Sequence, residues 1–255
     1  MKKFLIAMAT AAGIASAAPA SAQITLGETR LTLAPTATIA SDYLFRGISQ
    51  TRSRVAWQGA FELTHTSGVY IGGFISNVHF AGTDARQEVD VFGGYRFALG
   101  PVNLDVGVQG YFYPGFTRAP GMQEMDFYEG YLKGTYEIGP VNLLAAINVS
   151  PNYYGRSGTG VYIEGGADWK TGIWDLVLGG RVGHQWIERN QRFGTPDYAW
   201  WGISVSRDFV LPVLGNTITA SVGYYDTNIS RGDCIFGTRQ DICGARAMGY
   251  LTFKF

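Results

Sequence analysis

Charged side chains in this chain recur at every second position of short, otherwise apolar stretches. In residues 88–97, Glu88, Asp90 and Arg96 alternate with Val89, Val91, Tyr95 and Phe97; in 102–113, Asp105 and Gln109 oppose Val102, Leu104, Val106, Val108 and Phe112. The same parity puts Asp42, Arg46, Arg54, Glu62, Glu129, Lys133, Glu137, Glu164, Asp168, Lys170, Asp175, Arg181, Arg246 and Lys254 on the polar side. Together these are ten acids and eight bases. Such a mixed set can line a narrow water path with weak ion selectivity, or pair across it and close it.

Other chemistry is thinly represented. His65, His79 and His184 are the three histidines, and no His-x-Ser pair follows any of them on its own strand, so a lipid-facing hydrolase is the weakest reading. No Cys/His cluster or carboxylate motif has metal-ligand spacing, and neither metal nor cofactor is expected. Cys234 and Cys243, nine positions apart in a polar stretch, are expected to pair in an oxidising envelope; two free thiols are the alternative. Closing so short a loop is worth on the order of 3 kcal/mol in the chain-entropy model.

The elements that carry these residues follow from period 2. Residues 55–64 put Val55, Trp57, Gly59, Phe61 and Leu63 on one face, and Ala56, Gln58, Ala60, Glu62 and Thr64 on the other. One face suits lipid and the other water. The 255 residues include 35 Gly, 15 Tyr, 15 Phe and 6 Trp, with only 16% charged, a composition that disfavours helix. With no long apolar run beyond the N-terminus, a membrane chain has one solution left, a closed barrel, because lipid cannot satisfy open backbone groups.

A soluble sandwich also alternates, so the connections decide. Short breaks near 67–68, 99–101, 139–140, 171–172 and 211–216 alternate strictly with longer ones near 47–53, 81–87, 114–124, 151–159, 187–196 and 227–244. That is the pattern of periplasmic turns and extracellular loops. Eleven connections predict an all-β, antiparallel transmembrane barrel of about 12 strands, with 10 or 14 as alternatives. Residues 97–104 (FALGPVNL) return as 136–143 (YEIGPVNL), consistent with one hairpin per repeat or with a coincidence of turn chemistry.

The ends point to export. Lys2-Lys3, an apolar run from Phe4 to about Ala18 and Ala20-Ser21-Ala22 read as a signal peptide cleaved after Ala22, too short for a spanning anchor. The expected organisation is a signal peptide over 1–22 and one barrel domain over 23–255. Losing Lys2 and Lys3 leaves 18 bases against 20 acids, which gives no sign of nucleic-acid binding. The C-terminus, Tyr250-Leu251-Thr252-Phe253-Lys254-Phe255, alternates up to a terminal Phe and resembles the signal read by the outer-membrane insertion machinery. Trp57, Trp169, Trp174, Tyr95 and Tyr43 are expected near strand ends, at the membrane interface, with a packed barrel side chain as the alternative for any one of them. Arg52, Arg54, Arg118, Arg156, Arg189, Arg192, Arg231 and Arg239 fall in or beside the long loops, where they would meet anionic solutes or lipopolysaccharide phosphates.

Residues 41–51 (SDYLFRGISQT), Ser76-Asn77-Val78, Glu88-Val89-Asp90-Val91-Phe92-Gly93-Gly94-Tyr95 and Tyr113-Pro114-Gly115 carry a family resemblance. Over about residues 36–135 the chain resembles the TorF-like family of outer-membrane porins, formerly conserved proteins of unknown function. The resemblance implies an outer-membrane location and pore activity, and no substrate. The function expected is passive diffusion of small polar or ionic solutes; the alternative is a plugged structural or surface-interaction barrel. The sequence gives no oligomeric state.

Overall fold

A computed structural model describes residues 23–118, 124–211, 216–237 and 241–255; the expected signal peptide lies outside the described residues. Twelve antiparallel strands run in order: β1 Leu31–Ala40, β2 Ala56–His65, β3 Val69–Asn77, β4 Gln87–Leu99, β5 Val102–Phe112 and β6 Phe127–Ile138. They continue with β7 Val141–Ser150, β8 Gly160–Lys170, β9 Val177–Ile187, β10 Tyr198–Leu211, β11 Asn216–Thr227 and β12 Arg246–Lys254. Each pairs with its successor, and β12 pairs back onto β1, so the sheet closes into a barrel. The expected alternation of connections holds: short at 66–68, 100–101, 139–140, 171–176 and between Leu211 and Asn216, long elsewhere. No helix among the described residues is long and apolar enough to cross a membrane.

The pleat puts alternate side chains on opposite faces, so the period-2 pattern becomes a barrel with a polar inside and an apolar outside. Trp57, Val108 and Ile203 are 65%, 65% and 66% exposed, part of an outward belt that a water-soluble protein would cover. Trp57, Tyr95, Trp169 and Trp174 are exposed as expected for interfacial rings. Tyr43 is not: it is buried inside the barrel, because the segment after β1 folds inward instead of continuing the wall.

Register explains much of the glycine. Tyr70 faces Gly94, Phe92 faces Gly72, Tyr131 faces Gly107, Trp200 faces Gly183 and Tyr225 faces Gly202, each as direct cross-strand partners. The aromatic member of every pair is buried. A Cβ on Gly94 would stand 2.7 Å from the Tyr70 hydroxyl oxygen, and one on Gly183 would stand 2.5 Å from Trp200 Nε1. Glycine therefore leaves the floor on which each ring lies flat, and the rings fill a narrow interior.

The closing seam is the shortest pairing in the barrel wall. Five register pairs join β12 to β1, from Tyr250–Ala40 to Lys254–Thr36, whereas β1 and β2 share ten. Beyond them Ser41 continues the seam, its N–H donating to the Gly249 carbonyl at 2.9 Å. Pro35 lies within β1, and its carbonyl accepts the Phe255 N–H at 3.2 Å.

Candidate functional site: a charged interior and an inward hairpin

The connection after β1, expected as an ordinary outer loop, enters the barrel. Leu44–Phe45 pairs with Ile48–Ser49 as a miniature hairpin whose tip is Arg46-Gly47, with φ of 49° and 82°. Two successive positive φ values define the tightest hairpin turn, and Gly supplies the second at no steric penalty. Gly47 is also required by space: a Cβ there would lie 2.7 Å from both Thr227 Cγ2 and Trp200 Cβ. Asp42 organises the base. Its Oδ1 accepts hydrogen bonds from the Tyr43 N–H (2.8 Å), Ser49 Oγ (2.6 Å) and Thr51 Oγ1 (2.7 Å), and its Oδ2 accepts one from Arg246 Nη1 at 3.0 Å.

From that tip Arg46 reaches the opposite wall. Its guanidinium donates to Glu129 on β6 at 2.6 and 3.0 Å, to Gln185 Oε1 on β9 at 2.6 Å, and to the Tyr153 hydroxyl at 3.4 Å. It lies 4.0 Å over the ring of Tyr162 on β8. A forked, stacked cation is the geometry arginine provides and lysine does not. Tyr43, one turn back, donates to Glu88, which also accepts from Tyr113 at 2.7 Å. Beside it Asp90 Oδ2 accepts from Gln109 at 2.9 Å, while Asp90 Oδ1 is buried without a protein partner.

A second network lies toward the short turns. Arg96 donates to both oxygens of Glu62 (2.6 and 2.7 Å) and to Asp105 at 3.0 Å, and sits 3.8 Å over the Tyr70 ring. Tyr70 in turn donates to Asp105 at 2.5 Å. Arg181 pairs with Asp168 at 2.7 Å, Tyr162 donates to Glu164 at 2.5 Å, and Lys133 faces Asp105 across the β5–β6 register. At the end of the barrel Lys254 meets Asp208 at 3.4 Å.

Of the residues expected on the polar side, Glu62, Glu88, Asp90, Asp105, Glu129, Asp168, Arg181 and Lys254 are buried on the inward face, and Arg96, Lys133, Glu164 and Arg246 are partly buried there. Asp42 and Arg46 are also inside, but on the hairpin, not on a strand. Arg54, Glu137, Lys170 and Asp175 are exposed at the rims, where parity no longer constrains them because the ladder ends or turns. Tyr250 points inward and is partly buried, Phe253 is partly buried and Phe255 is exposed. Cys234 and Cys243 form a disulfide. Among the loop arginines, Arg118 and Arg156 both pair with Glu124 (3.3 and 3.1 Å), Arg189 pairs with Glu188 (3.4 Å), and Arg239 lies outside the described residues.

Sequence reasoning missed Tyr153, Gln185 and Tyr162, which seat Arg46; only Gln185 shows a signal, as a polar residue between Val182, His184 and Trp186 on a strand. The histidines remain apart, on β2, β9 and the loop between β3 and β4. Ser67 does follow His65 at two-residue spacing, in the turn beyond β2, with Oγ 2.8 Å from Nδ1. The same Nδ1 accepts the Ser67 N–H at 3.2 Å, so the contact is the hydrogen bonding of a tight turn.

Residues 26–248 match the model of a family described as bacterial protein of unknown function (Gcw_chp). The chain belongs to the Gcw_chp family. No curated protein matches this Gcw_chp chain. Among solved structures it is similar to the KdgM porin, at 11% identity and a TM-score of 0.55 over 87% of this chain and 99% of that one. It is similar as well to the NanC porin, at 10% identity and a TM-score of 0.54 over 88% and 98%. At such identities the likeness concerns the fold: the Gcw_chp chain has the barrel architecture of these porins, with almost the whole of each covered.

Proposed function

We propose that this Gcw_chp protein is an outer-membrane channel for passive diffusion of small polar or ionic solutes, related in role to the TorF-like porins and without enzymatic activity. The observation that carries the reading is the inward face. Charged and hydroxyl side chains line it along the barrel while large apolar side chains cover the outside. In this reading the signal peptide is removed after Ala22, the Tyr250, Phe253 and Phe255 pattern is read by the insertion machinery, and the exposed arginines of the long loops meet lipopolysaccharide. Nine inward acids (Asp42, Glu62, Glu88, Asp90, Asp105, Glu129, Glu164, Asp168, Asp208) face six bases (Arg46, Arg96, Lys133, Arg181, Arg246, Lys254), which favours cations weakly. Twelve strands and an interior filled by rings call for a small bore.

One observation favours a second reading, a barrel held shut. Asp90, Gln109 and Gln185, around the hairpin, are only 0%, 1% and 0% exposed. Single-channel recording of the refolded mature protein in a planar bilayer separates the two. Stable steps with a cation-side reversal potential across a salt gradient are expected. Folded barrel that stays silent, and stays silent after deletion of residues 44–49, would leave the closed structural barrel as the function.

A further inference from the structure

Above the hairpin, among the long loops, is a cavity of about 230 Å³ that the channel reading does not use. Its walls are mostly rings: Phe80, Tyr113 and Tyr154 stand edge to face against one another with centroids 5.6–6.4 Å apart, and Phe236 closes a side. Phe45 and Tyr153, which flank Arg46, form part of its boundary. A dry cavity of about 150 Å³ accepts a benzene-sized guest, so this volume suits one substituted ring.

The polar side of the cavity is positive. Arg52 and His79 line it, and among the described residues no carboxylate does. His79 is held below the ordinary histidine range by burial and then by the charges of Arg54, Arg52 and Arg86, so three cations act on this corner. The wall bearing Phe236 is built with care. Ile235 and Phe236 both have positive φ, 40° and 57°, a conformation rare for a β-branched residue. The Cys234–Cys243 bridge and a hydrogen bond from the Phe236 N–H to the Gly194 carbonyl (2.7 Å) hold them there. Backbone held in such a region marks a place where a side chain is being aimed.

We propose that this vestibule binds a small aromatic carboxylate, its ring among the aromatic walls and its carboxylate toward Arg52. The molecule is a ligand of the mouth and not the solute that passes, because the interior below carries an excess of acids. The disulfide thereby acquires a role, to fix one wall of the site.

Benzoate is the probe, titrated calorimetrically into the full mature protein refolded in detergent, with benzyl alcohol as the uncharged comparison. Saturable benzoate binding is expected, at least tenfold weaker in Arg52→Asn, which removes the charge at a position of φ 56° that Asn tolerates. Benzyl alcohol should bind weakly and equally to both. Thr83→Trp, which fills the cavity, should abolish binding, with heat-modifiable gel migration reporting that each variant is folded. No saturable benzoate binding to folded protein, or equal affinity in wild type and both variants, overturns the site. Binding to a barrel that conducts nothing would retain the site and remove only the channel.

Discussion

From β2 to β9 every strand except β3 and β7 turns a charged side chain inward, whereas from β10 round to β1 the inward charges are confined to the strand ends (Asp208, Arg246, Lys254) and hydroxyls lie between them: Ser204, Ser206, Thr217, Thr219, Ser221, Thr252, Thr36 and Thr38. The two walls tolerate water differently. A buried charge needs a partner in fixed geometry, so the charged wall is tied into networks that hold the hairpin across the bore. A hydroxyl rotates to suit whatever faces it, so the other wall can exchange a protein partner for water or solute at little cost. In the channel reading, the hydroxyl wall is the track and the charged wall sets the field.

The harshest way to break this contrast is Arg46→Met. It leaves Glu129 buried beside no cation, and removing one partner of a buried pair typically costs about 3–5 kcal/mol. Urea unfolding in detergent should show that loss, and bilayer recordings should show larger steps as the bore opens. Adding Glu129→Gln should restore most of the stability and leave the larger steps. If Arg46→Met neither destabilises nor opens the barrel, the hairpin is not what closes it.

Arg96→Met is next. Glu62 and Asp105 lose their shared cation, a change of about 1.5–3 kcal/mol for hydrogen bonds to charged groups. The reversal potential should move further toward cations, since the interior gains a net negative charge.

At the border between the walls, Gly183→Ala drives a methyl into Trp200 and the Tyr162 hydroxyl, 2.5 and 2.7 Å away. Overpacking of this kind costs about 1–3 kcal/mol, read as a lower urea midpoint with selectivity unchanged. The smallest effect belongs to the hydroxyl wall. Thr38→Val removes the 2.8 Å hydrogen bond to Thr252, worth about 0.5–1.5 kcal/mol, and should leave the reversal potential where it was. A selectivity shift from Thr38→Val as large as that from Arg96→Met would erase the distinction between the walls.

The strands were legible because each is a local pattern. Val55 to Thr64 declares its two faces without knowing its neighbours, and Gly139-Pro140 declares a turn by itself. Inward placement of Glu62 or Asp105 follows from the same parity. The hairpin was not legible, although its sequence is the most distinctive in the chain. What turns Arg46 inward is Glu129, Gln185 and Tyr162, all more than 80 positions away, and what buries Tyr43 is Glu88. The ring-on-glycine pairs were hidden for a related reason. Tyr70 and Gly94 are ordinary strand residues until register sets them opposite each other.

The seam of five pairs has a consequence for assembly. Its partners, Ala40 and Tyr250, come from opposite ends of the barrel, so pairing β1 with β12 closes the longest loop in the sheet and is the costliest contact to make early. Until then each is a free edge, able to recruit a strand from another copy of the chain. Pro35 answers this hazard. Its carbonyl points to β12, so its missing N–H lies on that same side, a gap in the row of donors that a foreign strand would need. The edge that waits for β12 thus carries its own mark against strangers in its backbone.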